Sequence, residues 1–177
     1  MSLIEKYMEQ IKKKDVSALE QVYLQSKNAV FSVIYSVLKD YRLSEDLMQE
    51  TYIKVWNNIN QYHENTNPLS WICTIAKNLA INYYNKQKKE LSTDFNQMSN
   101  LFPSYEINTK DESGIFEIMS KSLDENEQKI ILMHTIGGIK LKEIAKLFNK
   151  PQGTVRWQYN NALKKLLKIL NKEDNIK

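Results

Sequence analysis

The stretch EIAKLFNKPQGTV, residues 143–155, decides the fold of the C-terminal part of this chain. Ala145 is small, which suits a point where two helices approach each other closely. Asn149 tolerates the left-handed conformation of a tight turn, and Pro151 suits the start of a new helix. A short helix, a tight turn and a longer helix make up the helix-turn-helix pattern. The stretch therefore predicts this motif.

The helix that follows Pro151 has an apolar side and a polar side. It is predicted to run to about residue 171, and its inward residues are Val155, Tyr159, Leu163, Leu166 and Leu170. The residues expected to read base edges in a DNA major groove are Gln152, Thr154, Arg156, Trp157, Gln158 and Asn161. Amide groups recognise adenine and Arg recognises guanine, while residues 150–170 hold five cations and no acid. An ordinary solvated helix is the competing interpretation.

The residues before this motif predict the rest of a small helical domain. The expected elements are a helix over 115–122, a helix capped by Asp124 that ends at Gly137-Gly138, and a short helix over 141–148. Glu127 follows Asp124 by three residues, which is the spacing of a capping box.

Residues 92–114, STDFNQMSNLFPSYEINTKDESG, break every helical period. They are rich in Ser, Thr and Asn, and their charged side chains are mostly acidic. A stretch of this length without an apolar face is uncommon inside one compact domain. It predicts a flexible acidic linker between domains over 1–91 and 115–177.

The N-terminal 91 residues show the apolar spacing of four helices. The predicted helices are 2–13 with a continuation capped by Asp15, 28–39, 44–59 with Ser44 as N-cap, and 68–89 opened by Pro68. The third is expected to bury Leu47, Met48, Tyr52, Val55, Trp56 and Ile59, and the fourth Trp71, Ile72, Ile75, Ala76, Leu79 and Tyr83. Glu45 and Asp46 would then lie in the first turn of the third helix, where its dipole favours acids. The whole chain is predicted to be all-α, in two small helical domains.

Composition excludes several classes of protein. The lone Cys73 rules out a disulfide framework and a cysteine zinc site, and we expect it to fill space in a helix. Neither His63 nor His134 has a ligand-like neighbour at helical spacing, so no metal or cofactor is expected. No apolar run approaches the roughly 18 residues of a membrane span, and the N-terminus does not read as a signal peptide, so a cytoplasmic location is predicted. The net charge of +4 is concentrated at the two ends of the chain, which suits binding to a polyanion.

Three blocks of sequence, in this order, resemble one family. SEDLMQETYIKVW (44–56) is similar to its A-E-D-L-x-Q-E-x-F-x-K-x-W segment, and PLSWICTIAKNLAINYY (68–84) to its F-x-x-W-L-x-x-I-A-x-N segment. LDENEQKIILM (123–133) and LKEIAKLFNKPQGTVRWQYNNALKKL (141–166) resemble its C-terminal helix-turn-helix. The family is the extracytoplasmic-function (ECF) subfamily of the sigma-70 family of bacterial RNA polymerase sigma factors.

The resemblance implies a region 2-like N-terminal bundle and a region 4-like C-terminal domain, without enzymatic activity. The residues implied to bind core RNA polymerase are Asp46, Gln49, Glu50 and Lys54. Those implied to contact the minus-ten promoter element are Asn65, Thr66, Asn67, Lys77, Asn78, Asn82, Asn85 and Lys86. The C-terminal helix-turn-helix would read the minus-thirty-five element. An anti-sigma factor, commonly membrane-bound, is a further implied partner.

The sequence departs from the family pattern in the recognition helix. Trp157 and Gln158 stand where Ser and Arg are frequent, and Asn160 and Asn161 stand where a basic residue is common. The promoter sequence therefore cannot be copied from relatives.

Two alternatives use fewer of these residues. A helix-turn-helix regulator that does not open promoters would explain residues 123–171 alone. A helical nucleic-acid enzyme would need a nucleophile and base or a metal cluster, and a di-iron site would need Glu-x-x-His pairs. The sequence shows no nucleophile-base pair, no metal-ligand cluster and no Glu-x-x-His pair.

Overall fold

A computed structural model of the chain describes residues 2–64, 66–93 and 115–174, without the side chains of 90–93, 115–117, 170 and 172–174. The chain divides into two compact units, Met1–Asn108 and Thr109–Lys177. All regular elements within the described ranges are helical, which confirms the predicted all-α class. The predicted linker begins inside the last helix of the first unit, and its residues 94–114 lie outside the described ranges.

The N-terminal unit contains four long helices and one short turn. They are α1 (Leu3–Lys12), α2 (Val16–Leu38), α3 (Tyr41–Asn57), a 3-10 turn at Ile59–Gln61, and α4 (Pro68–Thr93). α2 packs against α1, α3 and α4. Its Val30, Val33 and Ile34 are fully buried together with Ile11 of α1 and Ile72 of α4. The apolar core of this unit is therefore built around α2.

α2 is one helix where the sequence predicted a short continuation after Asp15 and a separate helix over 28–39. Asp15 does cap it, since its Oδ1 accepts a hydrogen bond from the Ser17 amide at 2.9 Å. The polar run at residues 25–28 does not end the helix, because the fully buried Ser26 has two polar partners. Its hydroxyl donates to the Val22 carbonyl at 2.6 Å and lies 2.8 Å from the Tyr52 hydroxyl.

α3 begins four residues earlier than predicted, because its N-cap is Asp40, and the assignment of Ser44 as the N-cap is wrong. Lys39 closes α2 in the left-handed conformation (φ 59°), and the next residue, Asp40, accepts a hydrogen bond from the Leu43 amide at 2.9 Å. Ser44 is buried inside the helix and donates to the Asp40 carbonyl at 2.5 Å. Asp40 is the cap because the tight turn at Lys39 ends α2 and lets α3 begin directly after Asp40.

The C-terminal unit contains four further helices and a π turn. They are α5 (Ile115–Ser122), α6 (Glu125–Ile131), a π turn at Leu132–Ile136, α7 (Leu141–Leu147) and α8 (Gln152–Asp174). Asp124 forms the predicted capping box with Glu127, and Asn149 adopts the predicted left-handed turn (φ 52°). The π turn was not anticipated. α7, the turn at Asn149 and α8 form the predicted helix-turn-helix.

α8 packs against α6 and α7, and its buried side differs in part from the prediction. Val155 and Ala162 are fully buried, whereas Tyr159, Leu163 and Leu166 are only partly covered. The predicted inward residue Leu170 lies outside the described side chains.

Candidate polymerase and nucleic-acid interfaces

The outer surface of α3 carries charge around one exposed apolar side chain. Asp46, Gln49 and Glu50 are exposed, as the sequence predicted, and Lys54 lies beside them with its Nζ 3.7 Å from Glu50 Oε1. Ile53 is 60% exposed on this surface and was not among the predicted residues. Ile53 follows Gln49 by four residues and Glu50 by three, and this helical spacing could have revealed it. We call these five residues the α3 face.

The opposite side of α3 holds the fold. Leu47, Thr51 and Val55 are buried, and the Thr51 hydroxyl donates to the Leu47 carbonyl at 2.7 Å. Burial raises the pKa of Tyr52 well above its usual range, so its hydroxyl stays neutral beside Ser26. The α3 face is thus not needed for packing and is available to a partner.

The outer surface of α4 presents three amides. Asn78, Asn82 and Asn85 are exposed and separated by three or four residues, so they lie on one side of the helix. Ile81 and Tyr84 are also exposed, at 37% and 50%, and neither was among the residues predicted to contact the promoter. We call these five residues the α4 face.

The cations predicted beside these amides differ in exposure. Lys77 is half-buried and Lys86 is exposed. Trp71 is half-buried where a core position was predicted, with its ring edge-to-face on Tyr62 at 5.6 Å between centroids. Trp71 therefore lies two helical turns before Asn78, the first residue of the exposed amide row of α4.

The loop before α4 uses its polar groups mainly for its own structure. The Thr66 hydroxyl donates to the His63 carbonyl at 2.7 Å, and Asn67 Oδ1 accepts from the Ser70 amide at 3.1 Å, which caps α4. Burial raises the pKa of Tyr62, so its neutral hydroxyl donates to the Thr66 carbonyl at 3.0 Å. Thr66 and Asn67, which were predicted to contact the minus-ten element, are both exposed. The third predicted loop residue, Asn65, lies outside the described residues.

The six residues predicted to read DNA from α8 do not share one surface. Gln152, Thr154, Arg156 and Trp157 are exposed, whereas Gln158 and Asn161 turn back toward the unit. Gln158 Oε1 is buried with no hydrogen-bond partner among the described residues. Asn161 Nδ2 donates to Glu127 Oε1 at 2.6 Å.

Two further residues continue the exposed line of α8. Asn160 and Lys164 follow Trp157 at spacings of three and seven, and both are exposed. The sequence prediction did not choose them, although the helical period alone places them beside Trp157. We call Gly153, Arg156, Trp157, Asn160 and Lys164 the α8 face.

Glu127 connects α6 to α8 from a buried position. Its carboxylate is 1% exposed and accepts hydrogen bonds from Lys165 Nζ at 2.7 and 2.8 Å and from Asn161 Nδ2. It also accepts from the Asp124 amide at 3.0 Å, the capping-box contact that the sequence predicted. The contacts across 34 and 38 residues had no signal in the local pattern. They hold α8 in place against α6.

The described residues offer no site for a metal. No group of three or more His, Cys, Asp or Glu side chains within them could hold an ion. Burial raises the pKa of the Cys73 thiol to about 12, which makes it a protonated space-filling group. Among the described helices, none combines the length and apolar character that a membrane span requires.

Comparison with known proteins accounts for both units. Residues 22–90 match the family Sigma-70 region 2, and residues 119–166 match Sigma-70, region 4. The chain belongs to the sigma-70 family. The α3 and α4 faces of this sigma factor lie within its region 2 match, and the α8 face lies within its region 4 match.

Curated relatives assign the sigma factor to the ECF subfamily. It is 24% identical to the ECF RNA polymerase sigma factor SigM of Bacillus subtilis, over 89% of this chain and 98% of SigM. It is also 24% identical to SigW of the same organism, over 95% of this chain and 97% of SigW. The relationship extends over nearly the full length of each chain.

Solved structures share its fold. The sigma factor RpoE of Bartonella quintana, crystallised with the anti-sigma factor NepR, superposes with a TM-score of 0.66 at 19% identity, covering 88% of this chain and 98% of RpoE. CnrH, solved with the cytosolic domain of CnrY, gives 0.64 at 16% identity, covering 94% and 96%.

Proposed function

We propose that this ECF sigma factor binds core RNA polymerase through the α3 face, the minus-ten element through the α4 face and the minus-thirty-five element through the α8 face. The observation that carries this proposal is the position of the three faces. Each lies on the solvent side of a helix whose other side builds a core, and each falls within a matched sigma-70 region. Partners can therefore occupy the faces without disturbing either unit.

The α3 face suits a protein partner with basic groups. Asp46 and Glu50 supply negative charge, while Ile53 supplies an apolar centre that a partner can cover. Charged groups around an apolar contact are typical of interfaces that need both orientation and affinity. In this proposal the partner is the polymerase. Lys54 partly neutralises the charge of Glu50, since the two side chains form an ion pair at 3.7 Å.

The α4 face suits DNA whose strands have separated. The amides of Asn78, Asn82 and Asn85 can both donate and accept hydrogen bonds, as exposed base edges require. Tyr84 and Ile81 add surfaces for unstacked bases, and Lys86 adds charge for phosphates. Thr66 and Asn67 support the loop in front of this face.

The α8 face suits duplex DNA. Arg156 has the planar pair of donors that recognises guanine, and Lys164 can reach phosphate. Gln152 and Thr154 stand near the N-terminal end of α8, the part of a recognition helix that contacts base edges. In this proposal neither Asn161 nor Gln158 reads DNA, because their side chains turn inward.

We also propose an anti-sigma factor as a partner, because RpoE was crystallised with the anti-sigma factor NepR, and CnrH was likewise solved with a protein partner, the cytosolic domain of CnrY. The sigma factor itself performs no catalysis in this scheme. Nucleotide transfer belongs to the polymerase, and a cytoplasmic location follows from that of the polymerase and promoter DNA.

Run-off transcription tests the proposal. Purified core RNA polymerase and the full chain would be supplied with a library of genomic promoter fragments. We expect discrete transcripts that require the chain, together with direct binding of the chain to core in fluorescence anisotropy. A helix-turn-helix regulator without promoter-opening ability would bind fragments but yield no chain-dependent start site, and that result would contradict the proposal.

A further inference from the structure

Trp157 is an exposed aromatic in the middle of the α8 face. Its residue is 66% exposed, and no large apolar residue described in the C-terminal unit is more exposed. Single exposed apolar residues are common on protein surfaces, so exposure alone assigns no role. Its position is more informative, because Arg156 precedes it and Asn160 and Lys164 follow on the same surface.

Space beside the indole is open on its N-terminal side. Gly153 lies one turn before Trp157, and a Cβ added there would meet nothing within 4 Å. Side chains on a helix lean toward its N-terminus, which is the direction of this gap. A flat object can therefore approach the indole past Gly153 without displacing another side chain of α8.

The major groove contains one apolar group that an indole can recognise. Base edges present hydrogen-bond donors and acceptors there, except for the C5-methyl group of thymine. Residues 150–170 contain five basic residues and no acidic one, so the charge of this helix favours binding to a polyanion such as DNA. We propose that Trp157 reads thymine in the minus-thirty-five element by packing its indole against the C5-methyl group. This inference rests on the proposed function of the α8 face.

The test removes single thymine methyl groups from the promoter DNA. A promoter found by run-off transcription would be randomised over its minus-thirty-five element, and holoenzyme containing the full chain would select the sequences it binds. Each thymine of the selected element would then be replaced in turn by deoxyuridine, which lacks only the methyl group. We expect the holoenzyme Kd to rise about threefold to fivefold at one or two positions, the effect of losing one buried methyl group.

Variants assign the effect to the indole. With Trp157→Ala the deoxyuridine effect should vanish, and with Trp157→Phe, which keeps an aromatic face, it should persist. Leu167→Ala is the matched control, since Leu167 is also exposed (56%) on α8 but lies ten residues beyond Trp157 toward the C-terminus, and it should leave the effect unchanged.

Several results would overturn the inference. They are a selected element without thymine, no deoxyuridine effect at any position, an equal effect in the parent and Trp157→Ala, and loss of the effect in Leu167→Ala. If the selection enriches no sequence at all, the proposed role of the α8 face fails as well. The two failures are distinguishable because selection precedes any change to thymine.

Discussion

Glu127 is a charged side chain in a place where an unpaired charge would be costly. It is almost fully buried, yet Lys165, Asn161 and the Asp124 amide together supply four hydrogen bonds to its carboxylate. A buried charge is tolerated when its lone pairs are satisfied in this way. The cluster adds directional contacts to the packing of α6 against α8, so it helps to set the position of α8.

Glu127→Gln should destabilise the C-terminal unit. The substitution keeps the size of the side chain but removes the charge that Lys165 binds. Hydrogen bonds to charged groups contribute about 1.5–3 kcal/mol, so we expect the free energy of unfolding to fall by about that amount in urea denaturation. Glu125→Gln is the matched control, because Glu125 pairs with Lys129 at the surface, and we expect a loss of at most about 0.5 kcal/mol. Equal losses in the two variants would show that burial of Glu127 adds nothing.

The sequence could place Glu127 in a capping box but could not place its partners. Capping is local, with a fixed spacing of three residues, and the structure confirms it. Lys165 and Asn161 are brought in by tertiary packing, and nothing in their own neighbourhood marks them. For that reason Asn161 was predicted as a DNA-reading residue although its amide points into the unit.

At the scale of elements, helix identity was predictable and helix boundaries were less so. The apolar period of α3 and α4 fixed which side of each helix faces the core, because burial follows that period. The start of α3 depended on a choice between Asp40 and Ser44 as cap, and both are good capping residues. The left-handed turn at Lys39 decided it, and sequence gives no reliable signal for such a turn at Lys.

The α3 face leads to a prediction about polymerase binding. Glu50→Lys reverses a charge at a half-exposed position opposite the buried side of α3, so helicity by circular dichroism should be unchanged. Core binding should weaken by about 1–3 kcal/mol, because the new Lys meets the basic groups that we infer on the partner. Glu20→Lys is the matched control, since Glu20 is exposed on α2 outside the three faces and its reversal should leave core affinity intact. Unaltered binding by Glu50→Lys would remove α3 from the interface.

The α4 face leads to a prediction about promoter opening. Asn78→Ala together with Asn82→Ala should leave formation of the closed complex nearly unchanged, because the amides meet bases only after the strands separate. Open-complex formation should fall, and permanganate reactivity of melted thymines would report the loss. The control is Asn28→Ala, an exposed amide on α2. Normal reactivity in the double variant would exclude both residues from the melted strand.

At the scale of the whole molecule, the two-part organisation was predictable because residues 92–114 lack the apolar period that both flanking parts show. Matches to region 2 and region 4 fall on either side of that segment. The chain also divides into two compact units, each with its own buried residues. Such a molecule can perform two recognition steps with separate sets of side chains, whose energetic effects should be independent.

A double-mutant cycle between the units tests this independence. Arg156→Ala on the α8 face should cost about 1–3 kcal/mol at the preferred minus-thirty-five site, if it contacts guanine, and should act on closed-complex binding. The Asn78 and Asn82 substitutions should act on the later opening step. The two sets of side chains belong to separate units and are expected to act on separate steps, so the combined variant should lose the sum of the separate losses to within about 0.3–0.5 kcal/mol. Transcript yield and footprinting at several polymerase concentrations would separate the two steps. A coupling energy well above about 0.5 kcal/mol would show that the α4 and α8 faces act in a common step. Binding of the minus-thirty-five element by region 4 would then itself contribute to promoter opening.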